Sequence, residues 1–158
     1  MALQPYGAGM RKRRQGSDVG ARRKLRLDKT FTPLPIDEGD ELFRNGIFEF
    51  NVTKMLAHIG ANPEKFPIER VEVTALGSCS PDRLNEKTIR RADMTAPIIL
   101  AEISPGRFNV IDGNHRVERA CRKGLKTMAA RRVNAEQHLA FLTSARAYGA
   151  YVEYWNTK

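Results

Sequence analysis

The hydrophobic pattern of this chain switches between a strand-like and a helix-like period, most clearly between residues 96 and 133. The run Ala96-Pro-Ile-Ile-Leu-Ala-Glu-Ile103 predicts a strand, and Ser104-Pro-Gly-Arg107 a hairpin-type loop. Phe108, Val110 and Ile111 are apolar and β-prone, so a second strand is expected there. Asp112-Gly113-Asn114 is turn chemistry, with Gly113 free to take a positive φ. A helix follows from His115 to Lys123, with Gly124 as its C-terminal stop, and then a strand over Met128 to Val133. Upstream, Ile68 to Val73 has the look of a strand and Leu84 to Arg91 that of a helix.

Flanking segments have their own patterns. Phe48, Val52, Met55, Leu56 and Ile59 have helical spacing, with Gly60 as the expected stop and His58 at the edge of that face. Two prolines make Phe31 to Ile36 extended, and the acidic stretch 37–41 is placed to fold back on the basic N-terminus. From Ala135 to Tyr154 a C-terminal helix is predicted, with Leu139, Leu142, Ala145 and Ala147 on one face. Tyr148, Tyr151, Tyr154 and Trp155 form an aromatic stripe that packs on the domain or stacks against a partner. The division expected is a basic disordered arm at 1–27, an extension with one helix at 28–65, a domain at 66–134 and a helix at 135–158.

The order of elements between residues 66 and 134 resembles the ParB/sulfiredoxin superfamily. The residues that carry the likeness are Pro97-Ile98-Ile99-Leu100, Phe108 to Ile111, Asp112-Gly113-Asn114-His115-Arg116 and Gly124-Leu125-Lys126-Thr127. The resemblance implies an α/β (α+β) domain with a small mixed sheet and surrounding helices. Partition-type members carry a Gly-Glu-Arg-Arg turn that binds a nucleoside triphosphate, usually CTP, where this chain has Asp112-Gly113-Asn114-His115-Arg116. Sulfiredoxins place a catalytic Cys immediately before His-Arg; Asn114 stands there, so sulfinic-acid repair is not expected. The Asp-Gly-X-His-Arg form is similar to stand-alone members, some of them small phosphotransferases or nucleases and others regulators of mobile elements. Too little chain follows Val133 for the partition-type helix-turn-helix, so sequence-specific DNA reading by that module is not expected.

Charge sharpens this expectation. The formal net charge is +9, and residues 1–27 hold Arg11, Lys12, Arg13, Arg14, Arg22, Arg23, Lys24 and Arg26 against Asp18 alone. Such a stretch cannot form a core by itself and reads either as a flexible clamp for a polyanion or as a solubilising tail. A second basic run holds Arg116, Arg119, Arg122, Lys123, Lys126, Arg131 and Arg132 with Glu118 as its one acid. It is either a solvated helix face or a phosphate contact, with Arg119 and Lys123 the candidate nucleic-acid residues. No apolar run approaches the ~18–20 residues of a membrane span. Cys79 and Cys121 are far apart, without metal-ligand spacing, and fit a reduced cytoplasmic protein.

The candidate site is the turn at Asp112. A helix N-terminus favours an anion such as phosphate, and Arg116 adds a forked donor. Gly113, Asn114, His115 and Arg116 are therefore the expected nucleotide or phosphate ligands, and Asp112 and His115 the candidate catalytic pair. The ligand expected is a nucleoside triphosphate or diphosphate with Mg²⁺, and the partners are nucleotide and nucleic acid. In the simplest alternative, Asp112 only caps the helix. Three functions follow: a nucleotide-binding regulator or partition-type accessory of a mobile element, a small phosphate-handling enzyme, or an interaction protein with a degenerate pocket. For the enzyme, Glu69 or Glu72 would have to supply a further carboxylate.

Overall fold

The computed structural model describes residues 23–46, 48–76 and 85–158. Arg11, Lys12, Arg13, Arg14, Arg22 and Cys79 lie outside the described residues. The main sheet has four strands: β3 (Glu69–Glu72), β4 (Ile98–Ser104), β5 (Arg107–Asp112) and β6 (Thr127–Val133), preceded by a hairpin of β1 (Leu42–Asn45) and β2 (Phe48–Asn51). The spatial order is β3-β6-β4-β5, with β4 and β6 parallel and the outer pairs antiparallel. The helices are α1 (Val52–Ala61), α2 (Glu86–Arg91), α3 (Asn114–Arg122), α4 (Ala135–His138) and α5 (Ala145–Asn156). This is the small mixed sheet with surrounding helices that the family resemblance implied.

Every residue of β4 is buried, because helices cover both faces of the sheet. On one face Ile98 and Leu100 meet Val117 and Ala120 of α3 together with Met128 and Ala130. On the other, Ile99, Ala101 and Ile103 meet Phe48, Phe50, Met55, Tyr151 and Trp155 from the hairpin, α1 and α5. The N-terminal extension and the C-terminal helix thus share one core with the sheet. Phe108 and Val110 pack on the α3 side while Ile111 turns to the other.

Several expectations change. Phe48 is not on a helix. It starts β2, and Asn51 ends that strand by capping α1, its side chain accepting from the Lys54 N–H. The α1 helix runs past Gly60 and stops at Asn62, whose N–H closes onto the His58 and Ile59 carbonyls. The C-terminal segment is not one helix. A capping box at Asn134 and Gln137 starts α4, Leu142 is extended and bridges Phe50, and Ser144 caps a new helix, α5. The aromatic stripe packs inward: Tyr148, Tyr151 and Trp155 are buried. The acidic stretch pairs with α1 rather than with the described part of the arm, since Lys54 bonds Asp37 at 3.1 Å.

Residues 23–27 are also not a free arm. Leu25 is buried, and the Asn156 side chain accepts from the Leu25 N–H at 2.8 Å and donates to its carbonyl at 2.9 Å. The Tyr148 hydroxyl accepts from the Asp28 N–H at 2.8 Å, and Phe31 stacks on the Tyr148 ring at 4.0 Å. Residues 23–31 form a strap along α5.

Candidate phosphate site

Strand β5 delivers Asp112 to the start of α3 through a bulge. Its partners on β4 step from Val110 opposite Leu100 to Asp112 opposite Ile99, leaving Ile111 as the extra residue. A bulge kinks its strand and re-aims the side chain beside it. Gly113 is the N-cap of α3 in the left-handed conformation, φ 99° and ψ 22°, and no side chain caps the helix. The Val117 N–H returns to the Gly113 carbonyl at 3.0 Å. Asp112 is therefore not the cap, and the first-turn N–H groups of Asn114, His115 and Arg116 carry no side-chain cap.

Arg116 closes the site from the third helical position. One guanidinium nitrogen, Nη2, donates to Asp112 Oδ2 at 3.0 Å, with both side chains mostly buried. The guanidinium lies directly on Gly113. A Cβ built there would fall 2.7 Å from Arg116 Nη2, 2.9 Å from its Nε and 2.6 Å from Ile98 Cγ2. Both the left-handed φ and the close approach require glycine. The Arg116 Nε is buried and has no hydrogen-bond partner among the described residues. A cation over a helix N-terminus opposes the helix dipole, and among the described residues only Asp112 offsets it by direct contact. That charge arrangement, with a buried guanidinium N–H unused, suits an anion.

Asp93, which the sequence did not single out, lies beside this site. Hydrogen bonds from the Thr95 hydroxyl and N–H hold its carboxyl below the usual range, and the positive charge of Arg116 adds to that. The signal was Asp93 two residues before Thr95, the pattern of an Asx turn. His115 is half-buried at the second position of α3.

The second basic run is mostly occupied within the fold. Arg119 donates through Nη1 to the Arg90 and Ala92 carbonyls at 2.5 and 3.0 Å, closing the C-terminus of α2. Arg122 bonds Glu118 at 2.9 Å and takes Glu86 in a two-pronged contact at 2.6 and 2.9 Å, which holds its pKa above the ordinary range. Arg131 donates to the Phe66 carbonyl, and Arg132 pairs with Glu69 and lies 4.7 Å over the Phe108 ring. Lys123 and Lys126 are exposed. Glu69 and Glu72 stand on β3, the sheet edge opposite β5, about 14 Å from it by strand spacing, and cannot share a phosphate or metal with Asp112. Among the described residues no group of three or more His, Cys, Asp and Glu could hold a metal ion. Cys121 is not a free thiol, which corrects the expectation of two reduced cysteines.

Of the candidate arm residues, three are placed. Arg23 Nη2 donates to buried Glu102 at 2.8 Å, its Nε forms an ion pair with Glu136 at 2.8 Å, and the guanidinium lies 5.2 Å over Trp155. Lys24 donates to the Asn156 carbonyl, and Arg26 is exposed.

A comparison with protein families matches residues 64–144 to the ParB N-terminal domain, just over half of the chain, and that span contains β3 to α4 and the whole Asp112 turn. The chain belongs to the ParB N-terminal domain family. No curated protein and no solved structure matches it. Among the described residues no helix is long and apolar enough to cross a membrane.

Proposed function

We propose that this ParB-like protein binds the phosphates of a nucleotide at the start of α3 and engages nucleic acid non-specifically through its basic N-terminus, as a regulator or partition-type accessory of a mobile element. The observation that carries the nucleotide half is the Arg116 guanidinium. It is packed on Gly113 and oriented by Asp112 at an uncapped helix start, and its buried Nε has no partner among the described residues. Backbone N–H groups of Asn114, His115 and Arg116 supply the remaining donors. Mg²⁺ would enter with the nucleotide, chelated by its phosphates, because Asp112 is engaged with Arg116 and Asp93 with Thr95.

The nucleic-acid half rests on charge. Residues 1–27 hold eight of the chain's basic residues and one acid. Phosphate contact without base contact gives salt-sensitive, weakly sequence-selective binding. The enzyme alternative loses support, because the carboxylates expected of β3 lie across the sheet.

A thermal-shift series with nucleoside triphosphates and diphosphates, with and without Mg²⁺, tests the site. A ligand at a hundredfold excess over its Kd raises stability by about 2.7 kcal/mol. A shift in wild type that disappears in Arg116→Ala supports the site, and equal shifts in both would remove it.

A further inference from the structure

The strap at residues 23–31 starts at Arg23, whose two ion pairs differ sharply in exposure. The inner partner of Arg23 is Glu102, whose side chain is 7% exposed; the outer partner is Glu136, at 49%. Glu102 is also held by the Gly106 N–H at 3.2 Å and the Ala135 N–H at 3.4 Å. The Arg23 carbonyl accepts the Trp155 indole N–H at 2.7 Å. Arg23 is thus anchored on its inner side through Nη2, while its side chain as a whole is 47% exposed and, among the described residues, its Nε side meets one further carboxylate, Glu136. A solvent-exposed pair contributes about 0–1 kcal/mol, so Glu136 is replaceable. A guanidinium edge accepts a phosphate in the geometry in which it accepts a carboxylate. Lys24, Arg26 and Lys29 are exposed alongside, and the basic residues of 11–22 precede Arg23 in sequence.

We propose that Glu136 is an internal stand-in for a nucleic-acid phosphate on Arg23. The docked strap then forms a fixed phosphate contact beside the C-terminus of α5, and Glu136 sets how strongly a phosphate must compete to take it. This rests on the nucleic-acid reading given under Proposed function and adds where the backbone sits and what opposes it. The phosphate takes the outer edge of Arg23, Glu102 keeps the inner one, and the strap stays seated.

The test uses the full chain and two labelled probes, a short duplex DNA of mixed sequence and a single-stranded RNA of equal length. Affinities are compared for wild type, Glu136→Gln and Glu153→Gln. The last removes an exposed acid of α5 and changes net charge equally. Glu136→Gln is expected to bind at least one probe about two- to fivefold tighter than Glu153→Gln does. Trp155, the chain's one tryptophan, should change its emission during the wild-type titration, because the cation over its ring changes partner. Equal affinities for the two variants, or a flat Trp155 emission, would overturn the inference while leaving non-specific binding intact. Absence of binding to both probes at low salt would overturn the nucleic-acid reading and this inference together.

Discussion

Arg116 reaches back one helical turn to place Nη2 3.0 Å from Asp112 Oδ2, across the α-carbon of Gly113. The pair holds the guanidinium flat against the start of α3. Removing Arg116 removes the forked donor, and hydrogen bonds to charged groups contribute about 1.5–3 kcal/mol. Arg116→Ala should therefore weaken nucleotide binding roughly ten- to a hundredfold. Arg116→Lys should recover only part of it, because an ammonium is a point charge. Asp112→Asn should keep the fold and bind within about threefold of wild type, since the Asn carbonyl accepts the same hydrogen bond. Calorimetric titration of the three variants checks this, and wild-type affinity in Arg116→Ala would count against the site.

Gly113 is the position at which sequence and site are most tightly linked. An alanine there must hold a left-handed φ of 99° and push against the Ile98 methyl inside the core. Strain of that kind costs about 1–3 kcal/mol. The same Cβ displaces the Arg116 guanidinium. Gly113→Ala should thus lower stability by about that amount and reduce nucleotide binding as far as Arg116→Ala does. Urea unfolding and binding measured on one preparation test both halves, and unimpaired binding would show that Arg116 need not lie on Gly113.

The central sheet was legible because local chemistry and global role agree there. Ile98-Ile99-Leu100 is apolar on both faces because both faces are covered, and Gly124 ends α3 with a φ of 67°. The hairpin was hidden because Phe48 continues the helical spacing of Val52, Met55 and Ile59, although it faces the core from a strand. Leu139 and Leu142 likewise fit one helix by spacing, while Asn134 and Ser144, each a cap, mark the break. The basic run was readable as charge but not as contact. Whether Arg119 meets a phosphate or the carbonyls of α2 depends on residues nearly thirty positions away. The strap was invisible for the same reason: Leu25 meets Asn156 across 131 residues.

That long-range contact changes what truncation should do. Removing residues 1–27 deletes a buried leucine, the amide pairing to Asn156 and the arginine facing buried Glu102. The loss should be about 2–5 kcal/mol, the range for emptying a core leucine site. Leu25→Ala alone should give a large share of it. Urea denaturation of the truncated chain and of Leu25→Ala measures this, and unchanged midpoints would mean the strap adds nothing to the fold.

His138 gives the fold a pH dependence whose sign follows from its surroundings. It is fully buried beside Phe50 and Tyr151, with Nε2 2.6 Å from the Glu102 carbonyl and Nδ1 buried without a partner. Burial pushes its pKa down to about 4. The unfolded chain returns it to about 6.5. Between those values the unfolded state binds a proton that the folded state refuses, so stability falls as pH drops from about 6.5 to about 4. Below about 4 both states are protonated and this loss stops growing. Its full size is about 3 kcal/mol for a shift of this magnitude. His138→Gln cannot be protonated. It should be less stable than wild type at pH 7, and that disadvantage should shrink as pH falls. Carboxylates titrate in part of the same window, so the quantity to follow is the wild-type minus variant difference in unfolding free energy. A difference that stays constant from pH 7 to pH 4 would show that His138 does not resist protonation in the folded protein.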